Sequence, residues 1–452
     1  MTLKTALLTA AVILAPVPAL AEPVLFISID GLRPGDVLEA DKRGLKIPNL
    51  RRFLKEGAYA SAVVGVLPTV TYPSHTTLMT GASPARHGIL SNNTFDPKQI
   101  NQGGWYWYAT DVKVPMLWEA ASKAGLTTGN IHWPVSVAAR GVTWNLPQYW
   151  RTGHADDVKL LDALSTPGLR VELEQAVGEP YAQGIDETVE SDQNRGKFAV
   201  ALIDAHRPDF LTVYLTGLDH EQHAKGPGTP EAHAVLEKID AIVGDLMAAE
   251  TKAHPDAVIA LASDHGFETV DHFLSLPTAF IDAGLITLGK DGKAIASWDA
   301  FPWSAGASSA IILARPDDMA LAARVKALLE RLSTEPVNGI DRVIGKAEIA
   351  KMGGNPDAAF YVNMKPGFVT DIFRGAGAPL NGPTPGTTKG MHGYFPGAPN
   401  LRSTFLIMGR GVKAGKDLGL IDMRAIAPTL AKIMDTRLLL DAELPALNVS
   451  DK

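Results

Sequence analysis

The sequence predicts an α/β protein, with a mostly parallel central sheet, helices on both faces and a smaller α+β accessory lobe. Three observations predict it. Apolar, β-rich runs at 24–29 (VLFISI), 210–216 (FLTVYLT) and 257–262 (AVIALA) read as buried strands. Segments of helical period lie between them, the alternation expected of a parallel sheet covered on both sides. Each run leads into acid, histidine or glycine, and ligands bind such sheets beyond the carboxyl ends of the strands.

The elements follow in chain order. Residues 1–21 differ from the rest. Lys4 precedes the run ALLTAAVIL, too short to span a membrane, and Ala19-Leu20-Ala21 closes a small-x-small pattern. This reads as a signal peptide cleaved after Ala21, so the mature chain, starting at Glu22, is expected in the periplasm or secreted. The strand 24–29 ends at Asp30-Gly31. A helix is expected over 47–56, stopped by Gly57, and a strand over 59–66. Then comes LPTVTYPSHTTLMTG, where Pro73 suits a first helical turn. A helix over 114–124 closes at Gly125. The strand 210–216 runs into Gly217-Leu218-Asp219-His220-Glu221-Gln222-His223, and a helix over 230–250 leads to the strand 257–262 and Asp264-His265-Gly266.

Residues 286–386 look different, with a hairpin signal at Lys290-Asp291-Gly292, a strand over 308–313, a helix over 317–332 and a Gly/Pro-rich run over 375–386. They are expected to form an accessory lobe inserted between two parts of the core, 22–285 and 387–452. Segments 403–408 and 423–434 return to the main sheet.

Composition narrows the function. The chain has 452 residues, 46% hydrophobic and 20% charged, with net charge −7, so no basic surface suggests a specific nucleic-acid partner. With no cysteine, disulfides, thiolate catalysis and cysteine zinc sites are excluded. No later segment is apolar enough for a membrane span. Nothing in the sequence sets the oligomeric state.

The candidate metal ligands are Asp30, Asp219, His223, Asp264, His265 and His392, all at strand ends or in Gly-flanked loops. Singly each has an ordinary reading: a solvated helical turn for Asp219 and His223, an N-cap for Asp264, a tight turn for His392. Together they offer three carboxylates and three imidazoles, donors that suit zinc. With one hydroxyl they would fill two neighbouring sites of the kind that clamp both oxygens of a phosphoryl displacement. Thr71 stands just before a helix start, where free N–H groups attract phosphate. By pattern alone Thr69, Ser74, Thr76 and Thr77 compete with it.

The ordered set Asp30-Gly31, Pro68-Thr69-Val70-Thr71-Tyr72-Pro73, His87-Gly88-Ile89-Leu90-Ser91-Asn92-Asn93, Asp219…His223, Asp264-His265-Gly266 and Gly390-Met391-His392-Gly393-Tyr394 resembles the nucleotide pyrophosphatase/phosphodiesterases of the alkaline phosphatase superfamily. Trp133-Pro134-Val135-Ser136 resembles a further segment of that family, and the likeness runs over about 24–435. The resemblance implies an alkaline-phosphatase-like fold and two Zn2+ per chain, one on Asp30, Thr71, Asp264 and His265, the other on Asp219, His223 and His392. It implies Thr71 as nucleophile, a phospho-threonine intermediate, and Asn92 with the Tyr72 N–H as donors to a phosphate oxygen. Tyr72 takes the place of an aromatic that stacks on the substrate, and Trp133 lies in a substrate-binding segment. His220 is outside the motif. Ser74 and Val135-Ser136 depart from the family pattern and bear on substrate preference.

The substrate expected is a small phosphodiester or a nucleotide. A phosphomonoesterase or phosphonate hydrolase on the same scaffold is the alternative, disfavoured because Asn130-Ile131-His132-Trp133-Pro134 offers no Lys or Arg for a dianion. A sulfatase would need Cys or Ser where Ala82 stands in Ala82-Ser83-Pro84-Ala85-Arg86. A metal-binding protein without activity would lack part of this set.

Overall fold

A computed structural model describes residues 21–150, 156–181, 186–370, 377–436 and 442–450. The expected signal peptide lies, but for Ala21, outside them, as do residues 375–376 of the Gly/Pro-rich run.

The central sheet has eight strands. Val24–Ile29 lies between Val258–Ala262 and Phe210–Leu215, and the sheet continues through Thr128–Ile131 to Trp144–Leu146, all parallel. On the other side Phe405–Gly409 runs antiparallel to Val258–Ala262, followed by Gly57–Tyr59 and Lys416–Asp417. All six residues of Val24–Ile29 are buried, which explains its unbroken apolar sequence. Leu25, Ile27 and Ile29 enter one core with Leu50 and Phe53 of the helix Pro48–Glu56, Leu202 of Val189–His206 and Ile239 of Pro230–Ala253. Val24 and Phe26 enter the opposite core with Leu78, Trp118 and Leu430. Each such side chain contributes about 1.5–3 kcal/mol of burial.

Two expected elements change shape. The strand over 59–66 is broken into Gly57–Tyr59 and Ala62–Val64, which belong to different sheets. The break falls where the Ala60 and Ser61 N–H groups turn to different carbonyls, Phe405 O and Gly419 O. The helix over 114–124 begins only at Leu117: Pro115 disfavours a helical Val114, and Met116 is extended at the N-cap. Gly125, at φ +84°, follows its end.

A second sheet, antiparallel throughout, orders Ala300–Ala305, Ser308–Leu313, Ala358–Met364 and Ile340–Gly345. The helix Met319–Thr334 packs on it, capped by the Asp318 side chain. The hairpin signal at 290–292 joins Ile286–Leu288 to Ile295–Trp298. A third sheet, built on Glu268–Leu274, receives Gly367–Thr370, Asn381–Pro383 and Gly390–Met391. It returns the chain to the carboxyl edge of the central sheet. Among the described residues no helix is long and apolar enough to cross a membrane.

Candidate metal centre and nucleophile

Parallel pairing in register places the strand ends side by side. Ile29 pairs with Leu215 and Ser28 with Ala262, so Asp30, Thr216 and Asp264 emerge at one edge. Asp30, Asp264 and His265 converge into one group of possible metal ligands. Asp219 and His223, on the helix Gly217–Lys225, converge with His392 into a second.

The hydrogen bonds fix the imidazoles. His265 Nδ1 donates to Gly266 O (3.1 Å), His223 Nδ1 to Gly390 O (3.0 Å) and His392 Nδ1 to Thr69 O (3.3 Å). A carbonyl only accepts, so the ring proton sits on Nδ1 and each Nε2 presents a lone pair. Those lone pairs face carboxylate oxygens. His265 Nε2 lies 3.1 Å from Asp264 Oδ2 and 3.4 Å from Asp30 Oδ1, and His223 Nε2 lies 3.3 Å from Asp219 Oδ2. Acceptor facing acceptor at that distance is repulsive unless a proton or a metal cation lies between. Asp30 Oδ1, Asp219 Oδ1 and Asp264 Oδ2 are moreover buried without a hydrogen-bond partner, and such atoms are costly to leave unsatisfied. The residues therefore fit divalent cations.

The electrostatics agree. Burial, then the Asp219 and Asp264 charges, holds the Asp30 carboxyl well above the usual range. Burial and then Asp219 push Asp264 up to about 7. Burial, then Glu187, raises Asp219. Burial also lowers His223, and carries His265 and His392 well below an ordinary imidazole. A buried site that favours neutral carboxyls and neutral imidazoles lacks positive charge.

The five candidate hydroxyls at and beside the helix Thr71–Thr80 have different surroundings. Thr69 Oγ1 donates to Tyr394 O, Thr76 to Tyr72 O and Thr77 to Ala82 O, and the Ser74 hydroxyl is buried without a partner. Thr71 alone of these faces the ligands, with Oγ1 3.5 Å from His265 Nε2. Asn92 sits beside it, its Oδ1 accepting from the Tyr72 N–H (2.9 Å). That bond aims the Asn92 amide NH2 away from Tyr72, and it occupies the Tyr72 N–H that was expected to serve a phosphate.

Two expected substrate contacts are placed elsewhere. Tyr72 is fully buried, its hydroxyl on Gln148 Oε1 (2.9 Å) and its ring against Trp105 (5.2 Å between centroids). Trp133 is fully buried behind the Thr71 helix, against Phe26 and His75. Neither ring has a free face, since the core takes both. The glycines around His392 also serve the protein rather than a ligand: a Cβ at Gly390 would collide with Gln222 O, and one at Gly393 (φ +88°) with Ala305 O.

Sequence reasoning missed the supports. Tyr214, inside an apolar strand, donates its hydroxyl to Asp30 Oδ2. His75, fully buried one helical turn after Thr71, donates from Nδ1 to Thr71 O (2.8 Å) and meets Ser28 Oγ at 2.9 Å. Its spacing from Thr71 was the available signal; for Tyr214 only its place five residues before Asp219 was.

Comparison with known proteins decides the family. The model of the type I phosphodiesterase / nucleotide pyrophosphatase family matches residues 24–349. The chain belongs to that family. Human ectonucleotide pyrophosphatase/phosphodiesterase family member 1 is 27% identical over 257 residues, 54% of this chain and 24% of that protein. An uncharacterized pyrophosphatase/phosphodiesterase of Schizosaccharomyces pombe is 28% identical over 252 residues, 54% of this chain and 44% of the other. The chain thus matches less than half the length of these curated relatives. Among solved structures, human ectonucleotide pyrophosphatase/phosphodiesterase 5 superposes with a TM-score of 0.64 at 18% identity, over 92% of this chain and 96% of that one. The murine protein, in a form described as inactive and in complex with AMP, gives 0.63 at 17% over the same shares. The family and the shared alkaline-phosphatase-like α/β fold agree with the sequence reading.

Proposed function

We propose that the protein is an exported hydrolase of phosphodiester or pyrophosphate bonds, most naturally those of nucleotides, with Thr71 as nucleophile. The observation that carries this is the Thr71 hydroxyl at the edge of two facing ligand groups, free of the carbonyl bonds that hold Thr69, Thr76 and Thr77. The AMP bound by the murine fold neighbour supports a nucleotide substrate. The sequence of residues 1–21 supports export. The accessory lobe is read as 286–386, set between the core parts 22–285 and 387–452, with the antiparallel sheet in its support.

Asp30, Thr71, Asp264 and His265 would hold one zinc, and Asp219, His223 and His392 the other. When bound, they supply the positive charge that makes a threonine hydroxyl nucleophilic and that balances charge on the phosphoryl and leaving oxygens. The residues do the rest. Thr71 Oγ attacks phosphorus in line, forming the Thr71 O–P bond as the bond to the leaving oxygen breaks, and that oxygen leaves with a proton. Water then attacks the phospho-threonine from the opposite side and restores the hydroxyl. Asn92, fixed through its Oδ1, turns its amide donors to a non-bridging oxygen.

The test is kcat/KM of the zinc-loaded protein on bis-p-nitrophenyl phosphate and p-nitrophenyl phosphate, with Thr71→Ala alongside. A strong diester preference, lost by more than about 10³-fold in Thr71→Ala with the zinc content kept, is expected. A monoester preference moves the assignment to a phosphatase. Activity that survives Thr71→Ala removes the nucleophile.

A further inference from the structure

The helix Gly217–Lys225 brings two ligands of the second group, yet its own side chains do not cap its start. Its first N–H groups are taken by a residue from another helix. Asp192, on Val189–His206, accepts from Thr216 N–H at Oδ1 (2.9 Å) and from Gly217 N–H at Oδ2 (2.7 Å). Arg195, fully buried, donates to Thr216 Oγ1 (3.1 Å) and Asp192 Oδ1 (3.4 Å), and its other nitrogen donates to Asp186 O (2.6 Å). Asp192 is itself fully buried. Gly217 admits this approach, since a Cβ there would lie 2.8 Å from Val189 backbone atoms and 2.9 Å from Asp192 Oδ2.

We infer that Asp192, braced by Arg195, is a positioning residue for the second metal group, setting where Asp219 and His223 stand by holding the first turn of their helix. The effect falls on the second group because the first is held within the sheet: the Asp30 N–H donates to Leu215 O in the strand ladder, and Asp30 and Asp264 take their side-chain partners from Tyr214 and the Gly31 N–H. Two or three residues separate Asp192's bonds from Asp219. A rotation of that turn would move Asp219 relative to His392, which Thr69 O holds from another segment, and would strain the His223 bond to Gly390 O beside it. This inference rests on the two-metal reading above.

The molecule contains a matched control. Asp240, on Pro230–Ala253, caps the helix Pro48–Glu56 in the same manner, with Oδ1 accepting from Leu50 N–H (2.7 Å) and Oδ2 from Asn49 N–H (3.2 Å). That helix carries no proposed ligand.

The experiment compares Asp192→Asn and Asp240→Asn in the full zinc-loaded protein. Each amide sets a donor against a backbone donor, so both variants lower the melting temperature. Zinc release to a chromogenic chelator is followed to give two dissociation constants. Asp192→Asn is expected to weaken one zinc roughly tenfold, in the range of lost outer-shell contacts, and leave the other unchanged. Asp240→Asn should change neither. Should Asp192→Asn fail to fold, Thr216→Val, which removes only the hydroxyl shared by Arg195 and Asp192, should shift the same constant by a smaller factor. Equal weakening of both zincs, no weakening, or the same selective loss in Asp240→Asn overturns the inference and leaves the two-metal reading intact. A wild-type chain that binds fewer than two zincs overturns that reading and this inference with it.

Discussion

The two ligand groups face each other across one site but are built differently. Asp30, Asp264 and His265 follow adjacent parallel strands and are almost wholly buried, with side-chain exposures of 4%, 0% and 0%. Asp219, His223 and His392 stand on a helix and a returning loop, with 13%, 32% and 8% exposed. Sheet pairing fixes the first group, and backbone capping and loop contacts fix the second. A site assembled this way has one anchored wall and one adjustable wall.

Removing a carboxylate from each wall gives the largest contrast. Asp264→Asn and Asp219→Asn should each lower kcat by more than about 10³-fold, but with different remnants. Asp219→Asn should retain one tightly held zinc, whereas Asp264→Asn should retain only a readily exchanged one. Zinc content after dialysis against a weak chelator reads the difference, and loss of both ions from Asp219→Asn would erase the distinction between the walls.

Acidity sharpens it further. The folded pKa values of Asp30, Asp219 and Asp264 are raised, Asp264 to about 7 from 3.8. Between those two values the Asp264 carboxyl binds more protons folded than unfolded, so its own contribution to stability is greatest at the acid end and declines as pH rises toward 7, while the buried imidazoles, held low, contribute in the opposite sense below 6.5. Over that window the melting temperature of metal-free Asp264→Asn should therefore rise more steeply, or fall less steeply, with pH than that of the metal-free wild type; an unchanged slope would remove the raised carboxyl from the account.

A smaller effect is expected from Tyr214→Phe, which deletes only the hydrogen bond to Asp30 Oδ2. The anchored zinc should weaken roughly tenfold and the other should not. That pattern is opposite to the one expected of Asp192→Asn.

The smallest concerns the loop that carries Asn92. Phe95 packs it against the second sheet and its neighbouring hairpin, on Trp303 (5.2 Å) and Trp298 (5.6 Å). Phe95→Ala should cost about 1–2 kcal/mol of stability and lower kcat severalfold, with both zinc affinities unchanged. A change in either affinity would mean that the Phe95 contacts reach the walls themselves.

The anchored wall was the more legible in sequence. An apolar run ending in Asp-Gly or Asp-His-Gly announces a strand and its terminal ligands together, and register did the rest. Asp219 and His223 were legible only as a spacing, because the residue that orients their helix, Asp192, is distant in sequence and looks like any helical acid. His392 was found through its flanking glycines, whose cause turned out to be the Gln222 and Ala305 carbonyls. Tyr72 and Trp133 show the reverse error. Family position suggests a ligand contact, but only packing tells whether a ring keeps a free face.

The return of the chain through Gly390–Met391 has a consequence for biosynthesis. Asp30 is among the earliest described residues and His392 among the late ones, and Phe405–Gly409 completes the pairing of Val258–Ala262 only after it. The second group is therefore incomplete until residue 392 has been made, although its Asp219 and His223 precede Asp264 and His265 of the first. Cations arriving earlier would meet Asp30, Asp219, His223, Asp264 and His265 but not the imidazole that closes the second group, so that group should take its full ligand set only once the returning segment is in place.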